Sequence, residues 1–264
     1  MKKWLTTTLC ALCLLITLPG KATTTTDTLL LNRIYRYADS SYVQPTDTSY
    51  YSYTRYTIDI RRKNIFLMAV PNLFDMARSG RRHFIGESIR QHVYNKKGVR
   101  DSKTLISYTT LPYSENILPP ALMYLSPTLY RVTLVDKFLL SPFSRHNKMF
   151  YRLHVVSQTD SLALLSFKPK VDNTQLVKGN SVIDVRTGRV ITCHAEGEYN
   201  MLRFELDTDT GDKQHDKLMV RRCILRTTFQ FMGNRMAATY RVTYDMPPID
   251  STHIKSNKPA FTLN

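Results

Sequence analysis

The strongest structural signal in this chain is a strict alternation of apolar and polar side chains near its C-terminus. Between Arg235 and Tyr244 every even position is apolar, and the odd positions are mainly Arg and Thr. Successive side chains of a β-strand point to opposite faces, so this pattern is typical of an antiparallel strand with one solvated face and one buried face. The chain is therefore expected to build a sheet with an apolar side that must be covered.

The second half of the chain repeats this signal in pairs of segments joined by short turns. The turns lie at residues 158–161, 186–188 and 232–234, where Asp, Gly and Asn favour chain reversal. The flanking predicted strands are 149–157, 162–168, 177–185, 189–195, 217–231 and 235–244. Residues 199–207 are predicted to continue the fourth of these as one bent strand with a kink at Gly197.

The first half mixes helical and strand-like spacing. Leu30, Leu31, Ile34 and Ala38 have the spacing of one helix face, whereas residues 50–60 alternate with a period of two. Residues 81–94 fit either a helix or a strand, and 105–110 fit a strand. The proline-rich residues 111–130 are predicted to form a covered loop, with a short helix at 121–125, over the mouth or inner face of the sheet.

These segments predict one α+β domain over residues 29–246. The expected fold is a large, curved antiparallel sheet, a half-barrel, with one or two helices on its concave face. A polar leader at 23–28 is expected before the domain, and a flexible tail at 247–264 after it.

The N-terminus has the pattern of a secretory signal peptide at residues 1–22. Lys2 and Lys3 precede the apolar stretch Trp4–Leu18, and small residues lead to a cleavage site after Ala22. The stretch is shorter than the roughly 20 residues of a membrane span, which makes a retained anchor the less favoured alternative. Export would place the mature chain in the periplasm or at the periplasmic face of an outer membrane.

Export would leave two cysteines, Cys193 and Cys223. An oxidising compartment permits a disulfide between them, provided that their strands are neighbours with Cα atoms within about 7 Å. The alternative is that both are small buried residues.

The chain carries a net charge of +16, with 37 Lys and Arg against 21 Asp and Glu. Such a charge favours an anionic membrane surface as a partner. Nucleic acid is the usual partner of a basic cytosolic protein, and export argues against it.

The sequence contains only incomplete versions of the phosphate-binding, nucleophile and zinc-binding motifs. Lys178-Gly179-Asn180 lacks the second glycine and the Lys-Ser/Thr of a phosphate loop, and no Gly-x-Ser-x-Gly elbow occurs. His194 and Glu196 would share a strand face, but two ligands fall short of the three or four of a zinc site. We therefore predict no catalytic residue, no cofactor and no metal, and an envelope hydrolase is the least favoured hypothesis.

Several stretches resemble a Bacteroidota family of outer-membrane-associated proteins whose domain has no known function. They are LLSPFSRHNKMFYRLHVV (139–156), SFKPKVDNTQLVKGNSVIDVRTGRVI (166–191), YSYTRYTIDI (51–60) and RRHFIGES (81–88). The resemblance implies an envelope location and no established catalytic residues. Longer members carry a carboxypeptidase-like regulatory domain in front and an outer-membrane barrel behind, and this chain is expected to be a short paralogue or the front of such a longer gene.

The latter half of the chain also resembles, more weakly, the LolA-like half-barrel of lipoprotein carriers. In those carriers a curved antiparallel sheet shelters an apolar cavity for acyl chains. The resemblance implies that this chain is a non-enzymatic binding module.

We therefore expect an exported envelope protein whose concave face binds a lipid or lipoprotein acyl chain, or else packs its own helix. The residues predicted to line that face or form its core are Tyr56, Ile58, Ile60, Leu153, Val155, Ile183, Phe204, Tyr240 and Val242. The basic residues predicted at its rim, facing anionic headgroups, are Arg221, Arg222, Arg235 and Arg241. The alternative hypothesis is an interaction module that docks an outer-membrane β-barrel or another envelope partner through a sheet edge or the tail at 250–264.

Overall fold

The computed structural model describes residues 25–40, 48–69, 73–94, 100–112, 139–199, 202–210 and 221–245. The predicted signal peptide, the short helix at 121–125 and the tail at 247–264 lie outside these ranges. Most of the proline-rich loop also lies outside them.

The described chain forms ten strands, two α-helices and two short 3₁₀ helices. The helices are α1 (Thr25–Ser40) and α2 (Phe74–Arg78), and the 3₁₀ helices are Ile65–Ala69 and Arg145–Phe150. The first strands are β1 (Thr48–Arg62), β2 (His83–Tyr94), β3 (Arg100–Thr109), β4 (Tyr151–Gln158) and β5 (Leu162–Pro169). The remaining strands are β6 (Lys178–Asp184), β7 (Val190–Tyr199), β8 (Leu202–Asp209), β9 (Arg222–Phe231) and β10 (Asn234–Asp245).

All ten strands belong to one open sheet in the order β3-β2-β1-β10-β9-β8-β7-β6-β5-β4. Every neighbouring pair is antiparallel. Irregularities in the β1–β10, β2–β3, β4–β5 and β6–β7 ladders bend the strands where they occur. The predicted fold class, a large antiparallel sheet with few helices, is confirmed.

The sheet has one buried face and one solvated face, which we call the inner and the outer face. The inner-facing residues Tyr56, Tyr240, Leu225, Leu206 and Ala195 are consecutive cross-strand partners from β1 to β7, and all are buried. The alternation predicted for residues 235–244 holds, because the apolar even positions point into this core.

The structure selects one alternative for an ambiguous segment and corrects one predicted strand. The ambiguous residues 81–94 form β2, and residues 199–207 do not continue the preceding strand: a reversal after Tyr199 separates β7 from β8. Gly197 is not a kink, because it lies in register with Phe204 within the β7–β8 ladder. A Cβ at Gly197 would overlap the Phe204 ring, so the glycine leaves room for that buried side chain.

Helix α1 begins at Thr25, inside the segment predicted as a polar leader. Asp27 lies in its first turn, where a carboxylate interacts favourably with the helix dipole. The buried side chains of α1 are Leu30, Ile34, Tyr35 and Ala38. The helix therefore contributes an apolar face to the core, as its spacing predicted.

The β6–β7 turn packs directly against α1. Gly188 has a positive φ of 80°, and a Cβ at this position would overlap the backbone of Arg33. The Arg33 guanidinium donates a hydrogen bond to the Val185 carbonyl over 2.9 Å. An ion pair of 3.0 Å between Arg145 and Asp39 holds the C-terminal end of the helix. These contacts place α1 at the β4–β7 end of the sheet.

Two asparagines join the end of β1 to the β9–β10 hairpin. The Asn64 backbone N–H donates to Asn234 Oδ1 over 2.7 Å, and Asn234 Nδ2 donates back to Asn64 Oδ1 over 2.8 Å. Asn64 Nδ2 donates to the Met232 carbonyl over 2.7 Å. Met232 and Gly233 both have positive φ, as a tight hairpin turn of the I′ type requires. The pair therefore ties β1 to the turn that sets the register of β10.

Replacing Asn234 with Ala is expected to lower the free energy of unfolding by about 2 kcal/mol, because Asn64 loses a buried donor and a buried acceptor. Urea denaturation of the mature protein measures this. The control is Asn180→Ala, since Asn180 is exposed on β6 and its replacement is expected to cost less than about 0.5 kcal/mol. Equal losses in the two variants would contradict the role of the pair.

Candidate functional site

The nine residues predicted to line or fill the concave side all point to the inner face. Seven of them are buried, and Leu153 and Val155 pack against the same cluster while partly exposed. They fall into two groups. The first group, on β1 and β10, is Tyr56, Ile58, Ile60, Tyr240 and Val242, and the second, on β4 and β6, is Leu153, Val155 and Ile183. Phe204 lies between the groups on β8. That a ligand contacts them remains a prediction.

Tyr56 and Tyr240 form the aromatic centre of the β1–β10 group. They are direct cross-strand partners, and their ring centroids are 6.1 Å apart. The Tyr56 ring lies over Gly86 of β2, where a Cβ would overlap it, and its hydroxyl is hydrogen-bonded to Thr109 of β3. Burial raises the pKa of both phenols, so both remain neutral near neutral pH. The two rings form an apolar surface that also carries hydroxyl groups.

The inner face becomes polar beside this pair, along β1, β2 and β3. Thr54 and Ser52 follow Tyr56 on the inner face of β1, and both are buried. Their cross-strand partners on β2 are Ser88 and Arg90, both half-buried. Arg90 is not among the residues predicted from the sequence, because residues 81–94 fit two periods. Taken as a strand, they place Phe84, Ser88 and Arg90 on one face.

The predicted basic rim is wrong as a group. Arg222 and Arg241 alternate with inner-facing residues and therefore lie on the outer face, where Arg241 faces Arg55 across the β1–β10 ladder. Arg235 lies at the β9–β10 hairpin, and Arg222 is in register with Thr243, about 26 Å away along the strands. Arg221 precedes β9 at the same end as Arg222. The sequence period identified exposed positions but not which edge of the sheet they occupy.

The strands of Cys193 and Cys223 are not neighbours, although the predicted disulfide requires that they be. Cys193 and Cys223 are both in register with Thr208, from opposite sides, so β8 lies between their strands. Two strand spacings amount to about 10 Å, which exceeds the reach of a disulfide. Both thiols are free and buried, and burial raises the pKa of Cys193 to about 12. The structure agrees with the alternative of two small buried residues.

The outer face of β6–β9 carries a network of paired charges. His194 lies between Asp207, at 2.6 Å, and Glu196, at 3.3 Å, and Glu196 also pairs with Lys178 at 3.3 Å. Arg226 extends the network through an ion pair with Asp207. The network borders an open cleft of about 860 Å³ whose charged lining residues include Lys178, Glu196, Arg203, Glu205 and Arg226. Its members largely neutralise one another.

The predicted pairing of His194 with Glu196 on one strand face is present. In the described ranges, however, no group of three or more His, Cys, Asp or Glu side chains is arranged to hold a metal ion. Separately, none of the described helices is long and apolar enough to cross a membrane.

Hydrogen bonds shift the pKa values in this network. The bond to Asp207 is the main cause that raises the pKa of His194, against an opposing effect of partial burial. Partial burial alone would raise the pKa of Asp207, but hydrogen bonds from His194 and Arg226 outweigh it and lower that pKa. Bonds from His194 and then Lys178 lower the pKa of Glu196. A protonated His194 is thus favoured in the folded state.

Replacing His194 with Gln is expected to destabilise the protein more at pH 5.5 than at pH 9. A raised histidine pKa contributes stability that is complete below the ordinary value of about 6.5 and is lost as pH rises through the folded-state value. The lowered pKa values of Asp207 and Glu196 contribute above about pH 4 and are lost in stronger acid. Urea denaturation at the two pH values measures the difference.

The control for this prediction is His154→Gln. His154 lies on the outer face of β4 and is exposed, with no ion pair in the described chain. A loss of stability in His194→Gln that is equal at both pH values would rule out the proposed protonation of His194.

No family model and no curated protein matches the sequence. The resemblance to the Bacteroidota family therefore gains no support and remains a prediction.

Similar solved structures include a DUF1329 family protein from Desulfovibrio piger, at 12% identity, covering 84% of this chain and 95% of that one with a TM-score of 0.32. A LolA superfamily protein from Nitrosomonas europaea is 8% identical, with coverage of 84% and 96% and a TM-score of 0.27. The MucA/MucB complex of Pseudomonas aeruginosa gives 9% identity, coverage of 82% and 94%, and a TM-score of 0.23. At these values the similarities carry no argument about what the chain binds.

Proposed function

We propose that this chain is a non-enzymatic, exported protein of the cell envelope that binds an amphipathic ligand on the inner face of its sheet. The observation that supports the proposal is the strip of inner face that runs from Tyr56 and Tyr240 to Ser52, Thr54 and Ser88. One end of this strip is aromatic and apolar, and the other carries hydroxyl groups. That division matches the two ends of a lipid-like molecule.

The hydroxyl groups at the polar end of the strip distinguish this part of the inner face from an apolar core. A buried hydroxyl without a hydrogen-bond partner costs roughly 1–3 kcal/mol, and sealed cores are therefore filled with apolar side chains where possible. The inner face of β5–β7 is mostly apolar, with Ala163, Leu165, Phe167, Ile183 and Val190, although it also buries Ser181, whose hydroxyl has no hydrogen-bond partner in the described chain. The inner face of β1 and β2 carries more hydroxyl groups, at Ser52, Thr54 and Ser88, and this difference supports a binding role for this half.

The ligand's own chain can supply the driving force for binding, because Tyr56 and Tyr240 are already buried in the protein. Removing apolar surface from water gains about 25 cal/mol per Å², or about 0.8 kcal/mol per buried methylene. The lost freedom of the bound ligand offsets part of this gain. A chain of eight to twelve carbons would gain about 6–10 kcal/mol before that offset. Tyr hydroxyls at the edge of such a surface can hydrogen-bond while their rings pack against the chain.

The location that we propose for the protein rests on its predicted export and on its positive charge. The N-terminal pattern is that of a signal peptide, and the net charge of +16 attracts the chain to anionic membrane surfaces. We propose the periplasm, or the periplasmic face of an outer membrane, as its site of action.

The proposal predicts that the mature protein, purified without detergent, carries lipid that organic extraction and mass spectrometry detect. After delipidation it is expected to bind a fluorescent fatty-acid probe. Ser88→Trp is expected to weaken probe binding at least tenfold, because the indole would occupy the strip between Tyr56 and Arg90. A lipid-free preparation that also fails to bind the probe would mean that the inner face only packs the protein's own chain.

The matched control is Ile89→Trp. Ile89 is the next residue of β2 and is also half-buried, but it pairs with Tyr53 on the outer face. Probe binding is expected to stay within about twofold of wild type. An equal loss in both variants would indicate general damage to β2 rather than an occupied site.

A second candidate function is docking of an envelope partner, because an exposed apolar patch lies on the outer face next to the free edge of β3. Its members Tyr53, Ile85, Ile106 and Tyr108 are 40%, 39%, 51% and 60% exposed. An edge strand offers unpaired backbone groups to an added strand, and a flanking apolar patch supplies pockets for its side chains. An outer-membrane β-barrel or another envelope protein is the proposed partner.

Cross-linking in intact cell envelopes tests this second function. Tyr108→Asp is expected to abolish a specific cross-linked adduct, whereas Val156→Asp, at an exposed position of the opposite edge strand β4, is expected to leave it intact. An adduct that persists in Tyr108→Asp would exclude this patch as the docking surface.

A further inference from the structure

Arg90 is a cation on the inner face, where the described side chains of β1 and β10 and the other described side chains of β2 carry no charge. It is in register with the buried Ser52 on β1, whereas its neighbour Ile89 pairs with the outward-pointing Tyr53. Its partner on β3 is Thr104, and its side chain is half-buried. The register therefore places a guanidinium on the inner face, at the polar end of the strip described above.

No described carboxylate balances this charge. From Ser52 to Ile60 on β1, from Phe84 to Arg90 on β2 and from Met236 to Tyr244 on β10, the inner-facing side chains include one charged residue, Arg90. The outer face differs, because Arg55 pairs with Glu87 at 3.3 Å and Arg226 pairs with Asp207. Unlike these arginines, Arg90 has no ion pair in the described chain.

The hydrogen bonds of Arg90 leave donors available. Its Nε donates to Thr104 Oγ1 over 3.1 Å, which fixes the plane of the guanidinium. The two terminal nitrogens have no hydrogen-bond partner among the described residues. Arg presents its N–H groups in a rigid fork that matches the oxygens of a carboxylate or phosphate. Ser52 and Thr104, the cross-strand partners of Arg90, are both hydroxyl-bearing residues.

We propose that Arg90 binds the anionic head group of the amphipathic ligand, through the head group's charged oxygens, while the ligand's chain lies against Tyr56 and Tyr240. This inference rests on the proposed lipid-binding function and names its ligand class, an anionic lipid. Arg90 lies about 13 Å along β2 from Gly86, the residue covered by Tyr56. That separation suits a head group at one end of the strip and a chain at the other.

Calorimetric titration of the delipidated mature protein tests the inference with probes that share one chain. Dodecyl phosphate is expected to bind about tenfold more tightly than the neutral dodecanol, which is the effect of one charge-assisted contact. In Arg90→Gln this preference is expected to fall below twofold with dodecanol affinity unchanged, and Arg90→Lys is expected to keep part of it. Arg241→Gln, on the outer face, is the control and is expected to retain the full preference.

The outcomes separate the two proposals. If neither dodecyl probe binds wild type, the proposed function fails and the inference fails with it. If both bind wild type with equal affinity, or if Arg90→Gln keeps the preference, the inference alone is overturned. Inorganic phosphate that binds as tightly as dodecyl phosphate would also overturn it, since the site would then recognise a free anion. If Arg90→Gln does not fold, the preference of the wild-type protein for dodecyl phosphate over dodecanol is measured at 50 and 500 mM salt instead. Loss of the preference at high salt supports the inference, and a preference that does not depend on salt overturns it.

Discussion

The pairing of β1 with β10 is the interaction on which the rest of this structure depends. Strands β4 to β10 form one antiparallel meander and β1 to β3 form another, and the β1–β10 ladder is the contact that joins them into one sheet. The reciprocal bonds between Asn64 and Asn234 hold the end of that ladder in register. Because side chains alternate between faces, a slip of one residue between β1 and β10 would put Tyr56 and Tyr240 on opposite faces. The inner face exists as a continuous surface only in this register.

Because the β1–β10 ladder connects two separate meanders, the two halves of the inner face differ. The meander β4–β7 packs under α1, and the β6–β7 turn is fitted against the helix backbone at Gly188. This half is mainly a core of aliphatic and aromatic side chains, with Ser181 buried among them. The meander β1–β3 contributes Ser52, Thr54, Ser88 and Arg90 instead. Its guanidinium has no ion pair among the described residues, and this unbalanced charge connects the fold to the proposed binding of an anionic lipid.

Much of the fold could be predicted because local periodicity reports burial. The alternation at 235–244, the three hairpin turns and the apolar spacing of α1 all correspond to observed elements, with boundaries shifted by a few residues. The predictions that were wrong concern contacts between strands that are distant in the sequence. The period of two shows that Cys193 and Cys223 face inward but not that β8 separates them, and it marks Arg235 and Arg222 as exposed but not that they lie at opposite ends of β9. Arg90 was missed because residues 81–94 fit two periods, and only pairing with β1 selects the strand.

Photo-labelling with an anionic lipid tests the central claim most directly. A dodecyl phosphate that carries a diazirine midway along its chain, irradiated with the mature protein and mapped by peptide mass spectrometry, reports which surface the chain contacts. The account predicts labels on the inner-facing residues of β1, β2 and β10, around Tyr56 and Tyr240, and their loss when unlabelled dodecyl phosphate competes. Labels confined to the outer face, or spread over the surface without competition, would contradict it.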